Sequence, residues 1–277
     1  MNQQQIPINQ HWVPRSYLKY FATPETKSTD VPKAWRFEKE TNVFDESPTA
    51  VRNLCGKRYL YSPKDSDGKR DPITENFLRD IENEAAVIWS ALVDGELDLE
   101  DPSIRFTVAK FVAALQLRNY NLYTLLDSAV GLANKLYPLA EGALRSDGID
   151  PRNAGKVFVH QLHNGLPKMT DYFMTRAWCV MTAPNDVFIT SDKPVLFLHD
   201  TKMPGPGTAG AVPVFPLSPR RLLFMGEAEA FSANVYRSIE IPLALAINRN
   251  MLHRCYRIVI TGRSPTDVSR ELGGIST

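Results

Sequence analysis

Residues 108–117 read Val-Ala-Lys-Phe-Val-Ala-Ala-Leu-Gln-Leu, with Lys110 and Gln116 the only polar positions. A helix apolar nearly all round cannot lie on a surface, so this stretch predicts a central helix with other elements packed about it. The segment before it supplies a second helix. Phe77, Ile81, Ala85, Ile88 and Leu92 recur at helical spacing, Asp71-Pro72 with Glu75 marks the start, and Gly95 marks the stop. Asp101-Pro102 opens the central helix, read over 103–126. Further helices are expected over 128–144, followed by a break at 148–151, and over 153–163, ended by Gly165-Leu166-Pro167.

After Thr175 the texture changes. Residues 176–181, 187–190, 195–198, 212–215 and 221–225 are short β-type runs between Pro and Gly breaks. A helix over 239–255 and a strand over 256–261 close the pattern, and two short strands, 34–37 and 57–61, precede the helices. The expectation is an α+β fold, with a helical middle region packed on a small, mainly C-terminal mixed sheet. No stretch reads as a linker, so a single domain over 1–277 is expected, with 1–10 a loose arm and 264–277 a frayed tail.

Composition narrows the class. Hydrophobic residues are 43% and charged residues 23%, the balance of an ordinary globular chain. No apolar run approaches the ~18 residues of a membrane helix, so no membrane association is expected. Cys55, Cys179 and Cys255 lie far apart and are odd in number, which argues against a disulfide framework and for a cytoplasmic location. The net charge of +1 excludes a histone-like polycation. Its distribution is uneven: 12 Lys/Arg against 8 Asp/Glu in residues 1–70, 6 against 14 in 71–150, and 14 against 9 in 151–277. The basic ends either pack on the acidic middle or present a surface to nucleic acid.

Gly205, Gly207 and Gly210 form a literal GxGxxG, but Val-Pro-Val-Phe-Pro follows and cannot open a helix, so the stretch reads as a loop. His160 and His163 stand three apart on a helix, as a polar pair or as two metal ligands, with no HExxH. Arg118 is more informative. It falls on the stripe of Ile104, Val108, Phe111, Leu115 and Leu122, where a permanent charge needs a partner. That partner is either an acid of the neighbouring helix, such as Glu82, or a bound anion. Gln116, on the opposite apolar wall, reads as a buried hydrogen-bonding residue. His11, Arg15 and Tyr17 stand among Trp12, Tyr20 and Phe21, a mix that either clamps a nucleotide or ties the N-terminal segment into the core. Ser191-Asp192 sits at a strand end before Pro194, in a position for chemistry or for a self-satisfied turn.

Together these segments resemble a bacterial family known as domain of unknown function four-two-three-eight. Residues 11–21 (HWVPRSYLKYF) are similar to its H-x-V-P-x-x-Y-L-x-x-F opening, and residues 188–195 to its F-I-T-S-D-x-P-V strand. Gln116-Leu117-Arg118 resembles its Q-x-R element, Pro216-Leu217-Ser218-Pro219 its P-L-S-P turn, and Asn248 its late helical Asn. Glu75 and Glu82 fall where its helix repeats glutamates, and Asn119 stands where the family often has Thr or Ser. The resemblance implies a grouping and no particular reaction. It does favour a polar site, because packing seldom selects His, Tyr, Gln, Arg, Ser and Asp.

The expected function is an enzyme hydrolysing or transferring at phosphorus on a nucleotide or nucleic acid, for instance a defence or toxin nuclease. His11 is expected as general acid or base, Asp192 as its orienting partner or the holder of a divalent cation, and Arg118 as the phosphate-binding group. Arg15, Tyr17, Gln116 and Ser191 are assigned to substrate binding. No cofactor beyond that cation is implied. The alternative is a non-catalytic module that senses a ligand or binds a partner through the same pocket.

Overall fold

The computed structural model describes residues 6–65, 67–95, 97–136, 153–227 and 235–273. Strand β1 (Asn9–His11) leads into the short helix α1 (Arg15–Leu18). Strands β2 (Lys33–Glu38), β3 (Val43–Phe44), β4 (Thr49–Ala50) and β5 (Gly56–Arg58) follow. The helical region comprises α2 (Ile73–Asp94), α3 (Pro102–Leu117), α4 (Tyr120–Leu136) and α5 (Ala154–Met174). Then come β6 (Ala177–Thr182), β7 (Thr190–Ser191), β8 (Leu196–Leu198), β9 (Val212–Ser218), β10 (Arg221–Gly226) and β11 (Val235–Ser238). Helix α6 (Ile241–Arg254), β12 (Ile258–Thr261) and α7 (Pro265–Leu272) complete the chain. No described helix is long and apolar enough to cross a membrane.

The fold is α+β, as expected. The larger sheet runs β11-β6-β10-β9-β8, antiparallel except for the parallel pair β11–β6. A second sheet runs β3-β2-β12-β7, with β4 on β2, so N-terminal strands share it with C-terminal ones. β1 and β5 form a pair of their own, with His11 opposite Gly56. The main core joins the helices to the larger sheet. Leu78, Ile81, Trp89, Phe111, Val112, Phe158 and Phe173 meet Trp178, Phe215 and Leu223 there. A second core lies between the second sheet and α6, around Phe37, Val259, Ile247 and Met251.

Local chemistry sets the helix ends. Gly95 closes α2 at φ +83°, a conformation that only glycine adopts without strain. The Asp101 carboxylate accepts the Ser103 and Ile104 N–H groups at the start of α3. The continuous helix expected over 103–126 is two helices, because Arg118 ends α3 and the Asn119 side chain accepts the Asn121 N–H to start α4. The helix expected over 128–144 is therefore the latter part of α4, and residues 137–152 lie outside the described ones.

Helix α5 passes through Gly165 and Pro167 instead of stopping there. Leu117 of α3 packs directly on Gly165, where a Cβ would come within 3.1 Å of its side chain. Close helix packing thus outweighs local propensity. Two further expectations are corrected. Within the segment read as a loose arm, residues 9 and 10 belong to β1, and Gln10 is fully buried. Within the tail read as frayed, α7 buries Val268 and Leu272.

Candidate functional site

Helix α1 of the N-terminal segment contacts α2, and a cavity of about 600 Å³ opens between that segment and α2. Its walls include His11 of β1, Arg15 and Lys19 beside α1, Arg52 after β4, and Glu75, Arg79 and Glu82 of α2. Glu75 and Glu82 are seven residues apart, two helical turns, so they share one face of α2. The adjoining face carries Leu78, Ile81 and Trp89 into the core and fixes the helix in rotation.

Gln10 holds β1 in place. Its amide donates to Ser62 Oγ at 2.9 Å, and its carbonyl oxygen accepts the Tyr61 N–H at 2.6 Å. Beyond His11, Trp12 stacks on Tyr120 with centroids 4.4 Å apart and donates its indole N–H to the Asp192 carbonyl. His11 Nε2 lies 3.0 Å from the Arg52 carbonyl oxygen. A carbonyl only accepts, so Nε2 carries the hydrogen and Nδ1 is the basic nitrogen of the neutral ring. Burial, with Arg15 and Arg118 adding repulsion, pushes the His11 pKa down and favours this neutral form.

Behind the cavity wall lies Arg118, only 1% exposed. Its Nη1 donates to Glu82 Oε1 at 2.6 Å. Burial opposes its charge, and the attraction of Glu82, Tyr61 and Glu75 outweighs that opposition. Arg118 Nε and Nη2, and the Tyr61 hydroxyl, are buried without hydrogen-bond partners. Glu75 differs from Glu82. Burial, and then repulsion from Glu82, push its carboxyl up to about 7 against the pull of Arg118 and Arg79.

His11 and Arg15 therefore line one cavity, and Arg118 is buried behind its wall, turned to Glu82. The other expected site residues do not join them. The Asp192 carboxylate accepts the backbone N–H groups of Tyr256, Arg257 and Ile258 at 2.7–3.1 Å. It clasps the start of β12 and makes no hydrogen bond to His11. Burial pushes it up to about 6 against those three donors. Ser191 Oγ contacts Met251 Sδ and accepts the Lys193 N–H. Gln116 is half-buried, has a buried and unpartnered Oε1, and does not line the cavity.

Tyr17 is a core residue, fully buried, with its hydroxyl 2.7 Å from Thr190 Oγ1 and donating to the Pro216 carbonyl at 2.8 Å. Tyr17→Phe should cost about 1–2 kcal/mol, the value of buried hydrogen bonds lost with the ring retained. Thermal melting reads this directly, and an unchanged melting temperature would restore Tyr17 as a ligand-facing group. Among the other motifs, His163 contacts Thr74, His160 contacts Asn164, and the 205–210 glycines lie in a loop before β9. Among the described residues no group of three or more His, Cys, Asp and Glu could hold a metal ion.

Glu75 and Glu82, read in the sequence as a helix-start signal and as a candidate partner for Arg118, were not assigned to the site. Their seven-residue spacing was the signal, but Glu75 also suits a first helical turn, where acids are ordinary.

An α+β protein with a titratable cavity between its N-terminal segment and an acidic helix is the class that these features define. Residues 9–265 match the family model described as "Protein of unknown function (DUF4238)", and the chain belongs to that family. Neither a curated protein nor a solved structure matches the chain.

Proposed function

We propose that the chain is an enzyme that hydrolyses or transfers at phosphorus on a nucleotide or nucleic-acid substrate held in this cavity. One observation carries the reading. Glu75, a carboxyl that holds its proton up to about 7, and His11, a neutral ring with Nδ1 available, line the same cavity. Burial raises the Glu75 carboxyl toward neutrality and lowers the His11 ring so that it stays unprotonated, and the two supply an acid and a base at physiological pH. In hydrolysis, His11 Nδ1 takes a proton from the attacking water as its oxygen bonds to phosphorus. Glu75 gives its proton to the leaving oxygen as the old P–O bond breaks, so the proton count balances.

Charge supports a phosphate-bearing substrate. With Glu75 protonated and Glu82 tied to Arg118, Asp30 is the remaining free acid of the wall, against Arg15, Lys19, Arg52 and Arg79. Such a cavity attracts anions, and guanidinium forks match phosphate oxygens. The purified chain, with and without divalent cations, should release product from a panel of nucleoside triphosphates, dinucleotides and single-stranded RNA and DNA. His11→Ala should lower that rate at least about 100-fold. If the whole panel is left intact while a nucleotide still binds by calorimetry, the enzyme reading fails and the ligand-sensing module replaces it.

A further inference from the structure

We propose that the cavity belongs to a larger cationic surface that holds a single strand of nucleic acid, and is not a seat for a lone nucleotide. The inference rests on the reading of this cavity as the place of phosphorus chemistry and names the substrate class that it serves.

Cations line the cavity and continue past it at two places. Arg15, Lys19, Arg52 and Arg79 stand in its walls. Beside α1, Lys19 Nζ lies 5.5 Å from the centre of the Tyr20 ring and Lys27 Nζ lies 5.6 Å from the same ring. Lys27 is not a wall residue, so the charge extends beyond the cavity there. Beside β1, Arg58 stands directly opposite Asn9, which is a wall residue. Directly opposed residues of an antiparallel pair share a face, so Arg58 extends the charge a second time. Arg15, Lys19, Lys27, Arg52, Arg58 and Arg79 are all exposed. Among the described residues none of them makes an ion pair. The acids of the walls are Asp30, Glu75 and Glu82, and Glu82 is taken by Arg118.

This distribution separates the ligands. A nucleoside triphosphate concentrates its charge, and its usual cradle is a glycine-rich loop of backbone N–H groups. No described glycine lines this cavity. A strand carries its charge one phosphate at a time, and matches cations spread along a surface with an aromatic ring among them. Half-buried Tyr20, beside Lys19 and Lys27, supplies that ring. A nucleotide that fills the cavity leaves Lys27 and Arg58 without an anion, whereas a strand that runs out of it reaches them. At about 600 Å³ the cavity has the size that admits a small molecule. A flexible strand can turn one nucleotide into it, and a duplex cannot.

The test is fluorescence anisotropy with a labelled oligothymidylate of about fifteen residues, long enough to span a typical single-strand site. The full chain is titrated at several salt concentrations without divalent cations, and a gel checks that the probe stays intact. Contacts to about four phosphates should give a slope of roughly −3 in log K against log salt. Lys27→Gln and Arg58→Gln should each make that slope shallower by about 0.7, which is about a 5-fold loss of affinity at 0.1 M salt. Both side chains are exposed, so the melting temperature should hold, and circular dichroism checks it. As competitors, ATP, a duplex of the same length and polyglutamate should all be weaker than the unlabelled strand. A probe that does not bind, a competitor that matches the strand, or a slope that neither substitution changes would overturn the proposal. Binding and turnover are read separately. A strand that binds as expected but is never cleaved sinks the phosphorus chemistry and keeps this inference, while hydrolysis of nucleotides by a chain that holds no strand does the reverse.

Discussion

Asp192→Ala should lower the melting temperature by roughly 6–12 °C at pH 5, which corresponds to about 3 kcal/mol in a chain of this size. The substitution leaves three backbone N–H groups at the start of β12 without their acceptor. Each buried donor left unmade costs about 1–3 kcal/mol, partly recovered where water can enter. The pH is chosen from the sign of the shift. The folded carboxyl binds its proton up to about 6, above the ordinary 3.8, so the folded state takes up the proton more readily. Its contribution to stability is complete below the ordinary value and weakens as pH rises through about 6. The gap between wild type and variant should therefore be wide at pH 5 and narrow at pH 8. A variant that melts with the wild type at pH 5 but has lost turnover would return Asp192 to the chemistry.

Glu75→Gln should abolish turnover, by at least about 100-fold, and should also make the protein more stable at pH 8. Glu75 is raised from 4.5 to about 7, so the folded state prefers it protonated. That preference contributes fully below pH 4.5 and is lost as pH rises through about 7, after which folding carries the cost of a half-buried charge. Glutamine mimics the protonated carboxyl and avoids that cost. Glu75 is partly open to water, so the gain above pH 7 is discounted to about 1–2 kcal/mol. Melting curves at pH 4.5 and pH 8 separate the arms. The variant should match the wild type at the lower pH and exceed it at the higher. Equal melting at pH 8, or retained turnover, would remove Glu75 from its role.

Periodicity made α2 readable, because Phe77, Ile81, Ala85, Ile88 and Leu92 lie on one face and both ends carry stop signals. The break after Arg118 was hidden because the apolar stripe runs on to Leu122 across it. The signal was Asn119, a capping residue that starts α4. Gly165 and Pro167 misled for a tertiary reason, since the closeness of Leu117 repays a weak helical turn. At the site, Arg118 was legible as a charge needing a partner, and Glu82 is that partner.

Tyr17, Ser191 and Asp192 looked like chemistry because their polar groups are specified by position. They are specified, though, by the backbone and core atoms they satisfy. A polar signature identifies an exacting environment, and only geometry tells whether that environment is a ligand or the protein itself.

The ties of the N-terminal segment also bear on how the molecule is made. Gln10 waits for Ser62, Tyr17 for Thr190 and Pro216, and the Trp12 indole for a carbonyl 180 residues away. Contacts at such separation carry a loop-closure cost that local helices do not. On a ribosome this segment emerges well before those partners, and its indole and phenol stay unsatisfied until they have been synthesised. The helices can form as they appear, but Trp12 and Tyr17 gain their polar partners only with the C-terminal half, so a stalled or shortened chain has its glutamates in a helix and an N-terminal segment without these anchors.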